Sequence, residues 1–328
     1  MGTFKVLTWN VENLFSPVPS AKLQLIASVI VSQNPHVVAL QEVGGQEPLK
    51  ELMDELAALG NPYGHAAISN NPDKRGIRVA LISRLPLHSI RDFIQFPDGA
   101  ATRIFEYDKN GAIVQVGTMG RGALAASVQA NGMDITVATA HLKSKLLSFP
   151  RPYGSAFSTD DEGERAQAAG IALSKRMAEA VTIRYFANEL LEKNGTTPLI
   201  VLGDFNDVSD AQTSLLICGP SGSQIGTKGF DAPDAKDDVR LWNLAACIPQ
   251  ERRFSRIEQG RKELLDQIFA SEELFPRGSD GHRKIPLADS LIDFAETGAA
   301  IESVGTDPGT RKKSVAPDHA PVVAEFEI

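Results

Sequence analysis

The chain has 328 residues, 42% of them hydrophobic, and a formal net charge of -8. This acidic balance excludes a protein that holds nucleic acid through bulk positive charge, since the polyanion would be repelled. The two cysteines, Cys218 and Cys247, lie in unrelated contexts, which excludes a disulfide framework and a cysteine metal site. The composition predicts a globular protein with a sizeable core.

Short apolar runs bounded by Gly, Pro, Asn and Asp recur along the chain, and their length and alternation predict β-strands. The turn signal "ANGMD" separates two of them and predicts an antiparallel hairpin. The predicted strands cover residues 4–9, 36–41, 77–83, 123–130, 133–142, 198–203, 264–271 and 320–328.

Three segments between these runs predict helices, at 20–33 before "NP", at 48–60 before a terminal glycine, and at 161–194 before "NG". Helices mixed with many strands predict an α/β or α+β protein whose sheets are covered by helices. The segment 205–263 is turn-rich, and such long segments in compact domains are often functional. No apolar run reaches membrane-spanning length and the first residues lack a leader pattern, so we expect a cytoplasmic protein without a membrane anchor.

Acids, amides and histidines recur where the predicted strands begin or end. Turns favour Asp and Asn in any protein, so a single case would mean little. Their recurrence along nearly the whole chain indicates that they converge on one place. These residues are Asn10, Glu12, Glu42, His141, Asp204, Asn206, Asp266, Asp318 and His319.

The segments that carry these residues are, in order, "TWNVENLF", "LQEV", "AHLKS", "GDFND", "LLDQIF" and "PDHAPVVAEF". This ordered series resembles the motifs of the endonuclease/exonuclease/phosphatase family and extends from residue 8 to residue 326. The resemblance implies one domain over residues 1–328, built as a four-layer α/β sandwich with two mixed β-sheets face to face and helices outside. The loop-rich segment 205–263 would lie within that domain.

The resemblance also implies that water attacks a phosphoester with the help of a divalent cation. Mg²⁺ is expected, with Mn²⁺ or Ca²⁺ as alternatives, because hard cations take oxygen ligands and keep several waters. Glu42 matches the principal metal-ligand position of the family, and Asp318 would be a second ligand. Glu12 has two interpretations, a further acid of the metal site or a surface residue.

The catalytic roles that the resemblance implies fall on six residues, the first three of which handle water and phosphate. Asn10 would donate to the scissile phosphate or hold a neighbouring ligand. Asp204 would orient or deprotonate the attacking water, and Asn206 would bind phosphate oxygens.

The other three residues are His141, Asp266 and His319. His319 would transfer protons near neutral pH, and Asp266 would hold its tautomer. Whether Asp204 or His319 removes the proton from water stays open. His141 would donate to the phosphate or the leaving oxygen, where negative charge develops.

Three further side chains are interpreted from their local context. Asp207 is expected to cap a helix in "SDAQTSLL". Arg121 and Arg78 would each reach a substrate phosphate, because the guanidinium fork suits phosphate oxygens. A surface ion pair is an equal alternative for both arginines.

Basic side chains are interleaved with aromatic ones at 143–157 and 250–262, and a third basic cluster lies at 310–313. Each cluster is next to a predicted catalytic motif, and such mixtures can follow a phosphate backbone and stack on bases. The alternative is an ordinary solvated loop. We therefore predict a monomeric metal-dependent nuclease acting on DNA, with RNA as a further substrate. The alternative function is a phosphodiesterase or phosphatase of a lipid head group or small phosphate ester, and a non-catalytic binding module ranks last.

Overall fold

The structure is a computed structural model that describes residues 2–98, 104–108, 110–152, 154–194, 197–219, 223–232, 238–294, 299–300 and 315–328. The β-strands are β1 (Thr3–Leu14), β2 (Val37–Val43), β3 (His65–Ile68), β4 (Arg78–Ser83), β5 (His88–Gln95), β6 (Ile104–Tyr107), β7 (Ile113–Val116), β8 (Thr118–Ala130), β9 (Met133–His141), β10 (Phe149–Arg151), β11 (Gly154–Ala156), β12 (Leu199–Asp204), β13 (Trp242–Asn243), β14 (Arg256–Glu258), β15 (Arg261–Glu263), β16 (Asp266–Ala270), β17 (Leu287–Ser290), β18 (Asp293–Phe294), β19 (Ala299–Ala300) and β20 (Val322–Glu327). The helices are α1 (Ser20–Gln33), α2 (Gln46–Ala58), α3 (Glu162–Asn194), α4 (Gln212–Cys218) and α5 (Lys228–Asp231), with 3-10 turns at Leu244–Cys247, Gln250–Arg252 and Glu272–Leu274.

Two mixed sheets of six strands each form the centre of the molecule. Sheet one has the order β17-β20-β1-β2-β4-β3, and sheet two has the order β13-β16-β12-β9-β8-β5. Each sheet contains one parallel pair, β1 with β2 and β9 with β12, and its other pairs are antiparallel. Ligand-binding sites commonly lie at the carboxyl ends of parallel strands, and this topology provides one such pair of strand ends in each sheet.

The layering follows from which residues of each strand are buried together. Alternate residues of both sheets, such as Val6 and Val37 with Val137 and Leu202, pack into one core between the sheets. The opposite face of sheet one packs against α1 and α2, and that of sheet two packs against α3 and α4. The predicted α/β fold with two mixed sheets between helices is confirmed.

Each predicted strand and helix corresponds to an observed element, with ends that differ by a few residues. The helix predicted at 20–33 begins and ends there, because Asn34 turns the chain into the left-handed conformation ahead of Pro35. The segment 205–263 is more regular than expected, since it contains α4, α5 and the hairpin β14–β15. That residues 1–328 act as one domain stays a prediction. Among the helices that the structure describes, none combines the length and the apolarity needed to cross a membrane.

Candidate active site

The candidate site lies where the carboxyl ends of the two parallel pairs meet. Asn10 lies in β1 and Glu42 near the end of β2, while His141 and Asp204 are the last residues of β9 and β12. The side-chain amide of Asn10 donates to Asp204 Oδ2 at 2.9 Å, which joins the two sheets directly above their shared core. The topology therefore brings together residues that are 194 positions apart.

Three polar residues form a row across sheet two. Asp204 is the register partner of His141 in the parallel pairing with β9 and of Asp266 in the antiparallel pairing with β16. Register partners point to the same face of a sheet. His141 Nε2 accordingly lies 3.2 Å from Asp204 Oδ2.

His319 enters this row from the segment before β20. Its Nδ1 lies 2.6 Å from Asp266 Oδ2, and its backbone carbonyl accepts the indole N–H of Trp9 at 2.7 Å. His319, Asp204 and Asp266 are all buried, and one ligand-type atom of each lies within 4.8 Å of the others. Asp266 Oδ1 has no hydrogen-bond partner among the described residues, so this cluster retains an unused buried acceptor.

Burial and mutual charge separate the pKa values in this cluster. Burial, together with the charge of Asp266, raises the pKa of Asp204 to about 6. Burial disfavours the charged form of His319, but the carboxylates of Asp266, Asp318 and Asp204 outweigh it and raise the pKa of His319 to about 10. Burial and the positive charges of Arg121 and His319 hold the pKa of His141 well below its usual range. Near neutral pH the site therefore contains an imidazolium at 319 and a neutral imidazole at 141.

The turn after β12 requires an unusual backbone. Gly203 has φ +153°, and a Cβ on it would lie 2.0 Å from the carbonyl oxygen of Ala140 in β9. Asn206 has φ +52°, and its N–H donates to Asp204 Oδ1 at 2.9 Å. Its side-chain amide donates to the carbonyl of Leu142 at 3.0 Å, which leaves its second N–H and its Oδ1 for other partners. Phe205 between Asp204 and Asn206 is buried in the core.

A second corner of the site is built from Glu12, Asn13 and Glu42, all in left-handed conformations with φ between +44° and +66°. Such backbone strain in non-glycine residues is typical of functional sites. Glu42 Oε2 accepts the N–H of Asn13 at 3.0 Å, and the N–H of Glu12 donates to Asn10 Oδ1 at 3.0 Å. Glu12 is buried, which contradicts its interpretation as a surface residue.

The carboxylate of Glu42 at this corner offers the oxygen donors that a hard divalent cation prefers, whereas the described residues that bring three ligand-type atoms within 4.8 Å of one another are Asp204, Asp266 and His319. Glu42 is partly accessible, so an ion from solvent can reach its carboxylate. Asp318 lies on the opposite side of His319, with its Oδ1 3.9 Å from His319 Nε2 and its Oδ2 3.5 Å from Arg256 Nε. Of the three predicted metal ligands, Asp318 thus lies beside the buried cluster through His319, whereas Glu12 is linked to Asn10 and Glu42 to Asn13.

The two predicted arginines differ in their contacts. Arg121 Nη2 donates to Asp73 Oδ2 at 2.9 Å, while its Nη1 is buried and has no hydrogen-bond partner among the described residues. Arg78 Nη1 donates to the carbonyls of Gly44 at 2.9 Å and Gly76 at 2.8 Å. Arg121 thus retains an unused donor, whereas Arg78 joins two loops.

Two residues near the site were absent from the sequence-based predictions. Arg75 approaches Glu42 to 3.5 Å, and nothing in its loop sequence indicated this. Glu179 of α3 is buried and accepts the N–H of Gly120 at 2.8 Å and of Lys143 at 2.5 Å. Burial raises its pKa in spite of these two bonds. A signal for Glu179 existed, because it falls at helical spacing between buried alanines and Ile183 of α3.

The prediction that Asp207 caps a helix is wrong. Helix α4 begins later, at Gln212, and no side chain caps it. Asp207 instead accepts the hydroxyl of Thr213 at 2.8 Å and lies 3.3 Å from both Lys145 and Arg176. Its carboxylate is therefore a junction between α3, α4 and the loop after β9.

Several basic side chains of the two described clusters are paired with acids. Lys145 pairs with Glu263 at 2.9 Å, and Arg151 pairs with Glu164 at 2.6 Å. Burial lowers the pKa of Lys143 to about 8, and its ammonium donates to carbonyls of its own loop. In the second cluster, Arg252 forms an ion pair with Asp289, and Arg256 forms one with Glu258. The third cluster, 310–313, lies outside the described residues.

Comparison with known proteins agrees with this architecture. The truncated TDP2 of Caenorhabditis elegans superimposes with a TM-score of 0.55 at 14% identity, covering 99% of this chain and 98% of that one. An endonuclease/exonuclease/phosphatase from Bacteroides vulgatus gives a TM-score of 0.54 at 14% identity over the full length of both chains. The human Nocturnin catalytic domain with bound sulfate gives 0.55 at 14% identity, covering 99% and 94%.

No curated protein matches the sequence significantly. A family model does, over residues 7–288, and this range includes the two parallel pairs and most of the clustered polar residues. The family model matches most of the chain, and the two mixed sheets superimpose on a solved structure of the same family. The chain therefore belongs to the Endonuclease/Exonuclease/phosphatase family of phosphoesterases.

Proposed function

We propose that this protein is a divalent-metal-dependent phosphodiesterase that hydrolyses nucleic acid, with DNA as the first substrate to test. The observation that carries the proposal is the position of Asp204. Its carboxylate is held by Asn10 from sheet one, contacts His141 within sheet two and stands beside the buried Asp266–His319 pair. Such a group can orient a water molecule for in-line attack on phosphorus.

Charge on the phosphate is the second requirement of this chemistry. The His319 imidazolium, held by Asp266, would stabilise the negative oxygens of the transition state. The free donors of Asn206 and Arg121 would contact non-bridging oxygens, and His141 would face the leaving oxygen. Asp204 is the better candidate for the proton acceptor, because His319 already carries a proton between its carboxylate neighbours.

The metal would be held by Glu42, with Glu12 and Asp318 as further acids. Mg²⁺ is proposed first, with Mn²⁺ or Ca²⁺ as alternatives, because all three prefer oxygen ligands. A bound divalent cation supplies charge neutralisation and orientation of the phosphate. The chain's own contribution is the rigid placement of these carboxylates by Asn10, Asn13 and the left-handed turns.

One exposed aromatic side chain supports nucleic acid as the substrate. Phe15 is 38% exposed, and its ring packs on Gly44, where a Cβ would come within 2.2 Å of it. Because Gly44 is two residues after Glu42, the Phe15 ring forms a fixed apolar surface beside the metal corner. Bases stack on such surfaces beside phosphate-binding groups. We propose that Arg78 stabilises the segment around Gly44 that supports Phe15. Direct contact with the phosphate is proposed for Arg121.

A compact phosphoester, such as a lipid head group or a small phosphate ester, is the second candidate. It is favoured by the neutralisation of the basic loops, since Lys145 and Arg151 are paired with acids and are less available to follow a long polyanion. Both candidates share the same hydrolytic centre. They differ in the length of substrate that the surface engages.

A substrate panel tests the proposal. Plasmid DNA, single-stranded DNA and RNA, bis-p-nitrophenyl phosphate and sphingomyelin vesicles are incubated with the protein and Mg²⁺ or Mn²⁺. Nicking of DNA that disappears with EDTA and in His319→Ala is expected. Nicking that persists in EDTA or in that variant would overturn the metal-dependent mechanism. Turnover of a small ester or sphingomyelin with intact DNA would select the second candidate, and light scattering of the active protein tests whether it is a monomer.

A further inference from the structure

Arg75 lies at the metal corner, although the proposed mechanism does not use it. Its Nη2 donates to Asn13 Oδ1 and lies 3.5 Å from Glu42 Oε2. The Glu42 side chain is 14% exposed, whereas that of Arg75 is 56% exposed. The carboxylate proposed as the principal metal ligand therefore has a guanidinium as its counter-charge in this structure.

The loop that carries Arg75 is anchored by Asp73. The carboxylate Oδ1 of Asp73 accepts the backbone N–H groups of Arg75 at 2.8 Å and Ile77 at 3.0 Å. The other oxygen of the same carboxylate accepts Arg121 Nη2 at 2.9 Å. One acid thus places two arginines, one at Glu42 and one near His141, on the same side of the site.

Arg78 connects this loop to the segment after Glu42. Its guanidinium bridges the carbonyls of Gly44 and Gly76, the residues two after Glu42 and one after Arg75. The backbone of Arg75 is therefore held relative to its acidic partner, while its side chain remains half exposed. A half-exposed guanidinium on a fixed backbone can exchange one anionic partner for another close by.

A guanidinium and a divalent cation compete for the same carboxylate, because each carries the charge that the other would neutralise. When a metal occupies Glu42, Arg75 is repelled from it. The nearest new anion in the working enzyme is the substrate phosphate, which the neighbouring Arg121 also faces. Guanidinium groups bind phosphate oxygens well.

We infer that Arg75 is the resident counter-cation of Glu42 in the metal-free protein, and that a divalent metal displaces it onto a substrate phosphate beside Arg121. This inference rests on the proposed function, since it takes Glu42 as a metal ligand. It assigns Arg75 two successive partners in one catalytic cycle. The metal would therefore bind against an internal competitor.

Direct measurement of metal binding tests the first half. Mn²⁺ binding is followed by electron paramagnetic resonance for the wild type, Arg75→Gln, Glu42→Gln and the matched control Arg165→Gln. Arg165 is 50% exposed and pairs with Glu162 on α3. We expect Arg75→Gln to bind Mn²⁺ about two- to fivefold more tightly than the wild type, the range of a partly exposed ion pair. The control is expected to match the wild type.

The result separates the two proposals. Equal or weaker Mn²⁺ binding by Arg75→Gln, with weakened binding by Glu42→Gln, overturns the inference and leaves the metal role of Glu42 intact. Unchanged binding by Glu42→Gln removes the metal role itself and with it the basis of this inference. Thermal unfolding of each variant verifies that it is folded.

Steady-state kinetics at saturating Mn²⁺ tests the second half. We expect Arg75→Gln to raise the KM for the cleaved substrate about fivefold or more while kcat changes less, because the lost contact is to a bound phosphate. Arg75→Lys, which keeps the charge, is expected to recover part of the loss. A KM equal to that of the wild type overturns the transfer of Arg75 to the substrate.

Discussion

Asp204 and His141 are register partners in the parallel pairing of β12 with β9, and their side chains meet at 3.2 Å. The backbone of sheet two alone sets this contact, because both residues terminate their strands at the same level. Asp266 occupies the same level on the other side of Asp204. The row of His141, Asp204 and Asp266, proposed as catalytic, is therefore held by the backbone of the sheet.

Asp266→Asn removes the anion that holds His319. The Asp266 carboxylate lies 2.6 Å from Nδ1, and an amide in its place reverses the hydrogen-bond preference and the tautomer. We expect kcat to fall about 10²- to 10⁴-fold, by analogy with the orienting acid of a triad. Single-turnover kinetics on the best substrate of the panel measures it. An activity within threefold of the wild type would show that His319 needs no orienting acid.

The pKa values predict a plateau of activity between two limbs. Burial raises the pKa of Asp204 to about 6, so its ionised form is lost as the pH falls through that value. The carboxylates around His319, against the effect of burial, raise its pKa to about 10, so its charge is lost only as the pH rises through that value. We expect activity to decline below pH 6 and above pH 10.

Imidazole titrations by nuclear magnetic resonance measure the same property in the metal-free protein. The ring of His319 should remain charged at pH 8, and that of His141 should remain neutral near pH 6, because burial and nearby positive charges lower its pKa. Asp266→Asn should lower the titration point of His319, since it removes the largest attractive charge. Titration of His319 near pH 6.5 in the wild type would contradict the ion-pair description.

Gly203→Ala tests the backbone contact between β12 and β9. A Cβ at this position would lie 2.0 Å from the Ala140 carbonyl oxygen, and sheet backbone cannot yield to it cheaply. We expect the free energy of unfolding to fall by about 3 kcal/mol or more, together with activity. Chemical denaturation measures the stability.

Gly132→Ala is the matched control for that substitution. Gly132 also has a positive φ, +84°, but a Cβ there meets nothing within 4 Å. Its replacement should cost only the local strain, about 1 kcal/mol, and leave activity unchanged. Equal losses in both variants would mean that φ, and not the close approach of strands, limits position 203.

Glu179→Ala tests the support that α3 gives to sheet two. The change removes the acceptor of two backbone N–H groups, at Gly120 and Lys143, just beside Arg121 and His141. We expect a loss of about 1–3 kcal/mol in unfolding free energy, because two partly buried backbone donors lose their acceptor. Glu179→Gln should lose less, since its amide oxygen still accepts one bond.

Glu189→Ala on the same helix is the control for Glu179. Glu189 is paired with Arg91 at the surface, where both side chains are about half exposed. Exposed pairs contribute little, so we expect a change below about 1 kcal/mol. A similar loss in both variants would assign the effect to helix α3 as a whole and not to its contacts with Gly120 and Lys143.

Much of the fold was predictable from local pattern. Strand runs, helix boundaries such as the "NP" after α1, and the order of the polar motifs depend on residues close in sequence. The convergence of Asn10, Asp204 and His319 also agreed with the motif order. The contact of Asn10 with Asp204 is a consequence of the two parallel pairs, whereas His319 arrives from the segment before β20.

What the sequence did not indicate depends on packing. Asp207 has the chemistry of a helix cap, yet Lys145 and Arg176 from distant segments take its carboxylate. Glu179 is a charged residue on a long helix, yet it is buried and accepts the backbone N–H groups of Gly120 in β8 and of Lys143 in the loop after β9. The helical spacing of Glu179 among apolar residues indicated a buried position, but the sequence did not identify its partners, because they lie in another layer.

The pairing of β1 with β20 places Thr3 opposite Glu327, and Trp9 of β1 bonds to the carbonyl of His319. Strand β1 therefore lacks one of its two neighbours until residues 322–327 have folded against it. Contacts of such sequence separation form late, since loop closure must precede them. Assembly of the candidate site therefore depends on a contact between segments 310 residues apart in sequence, and His319 can take its place beside Asp266 only after β20 has paired with β1.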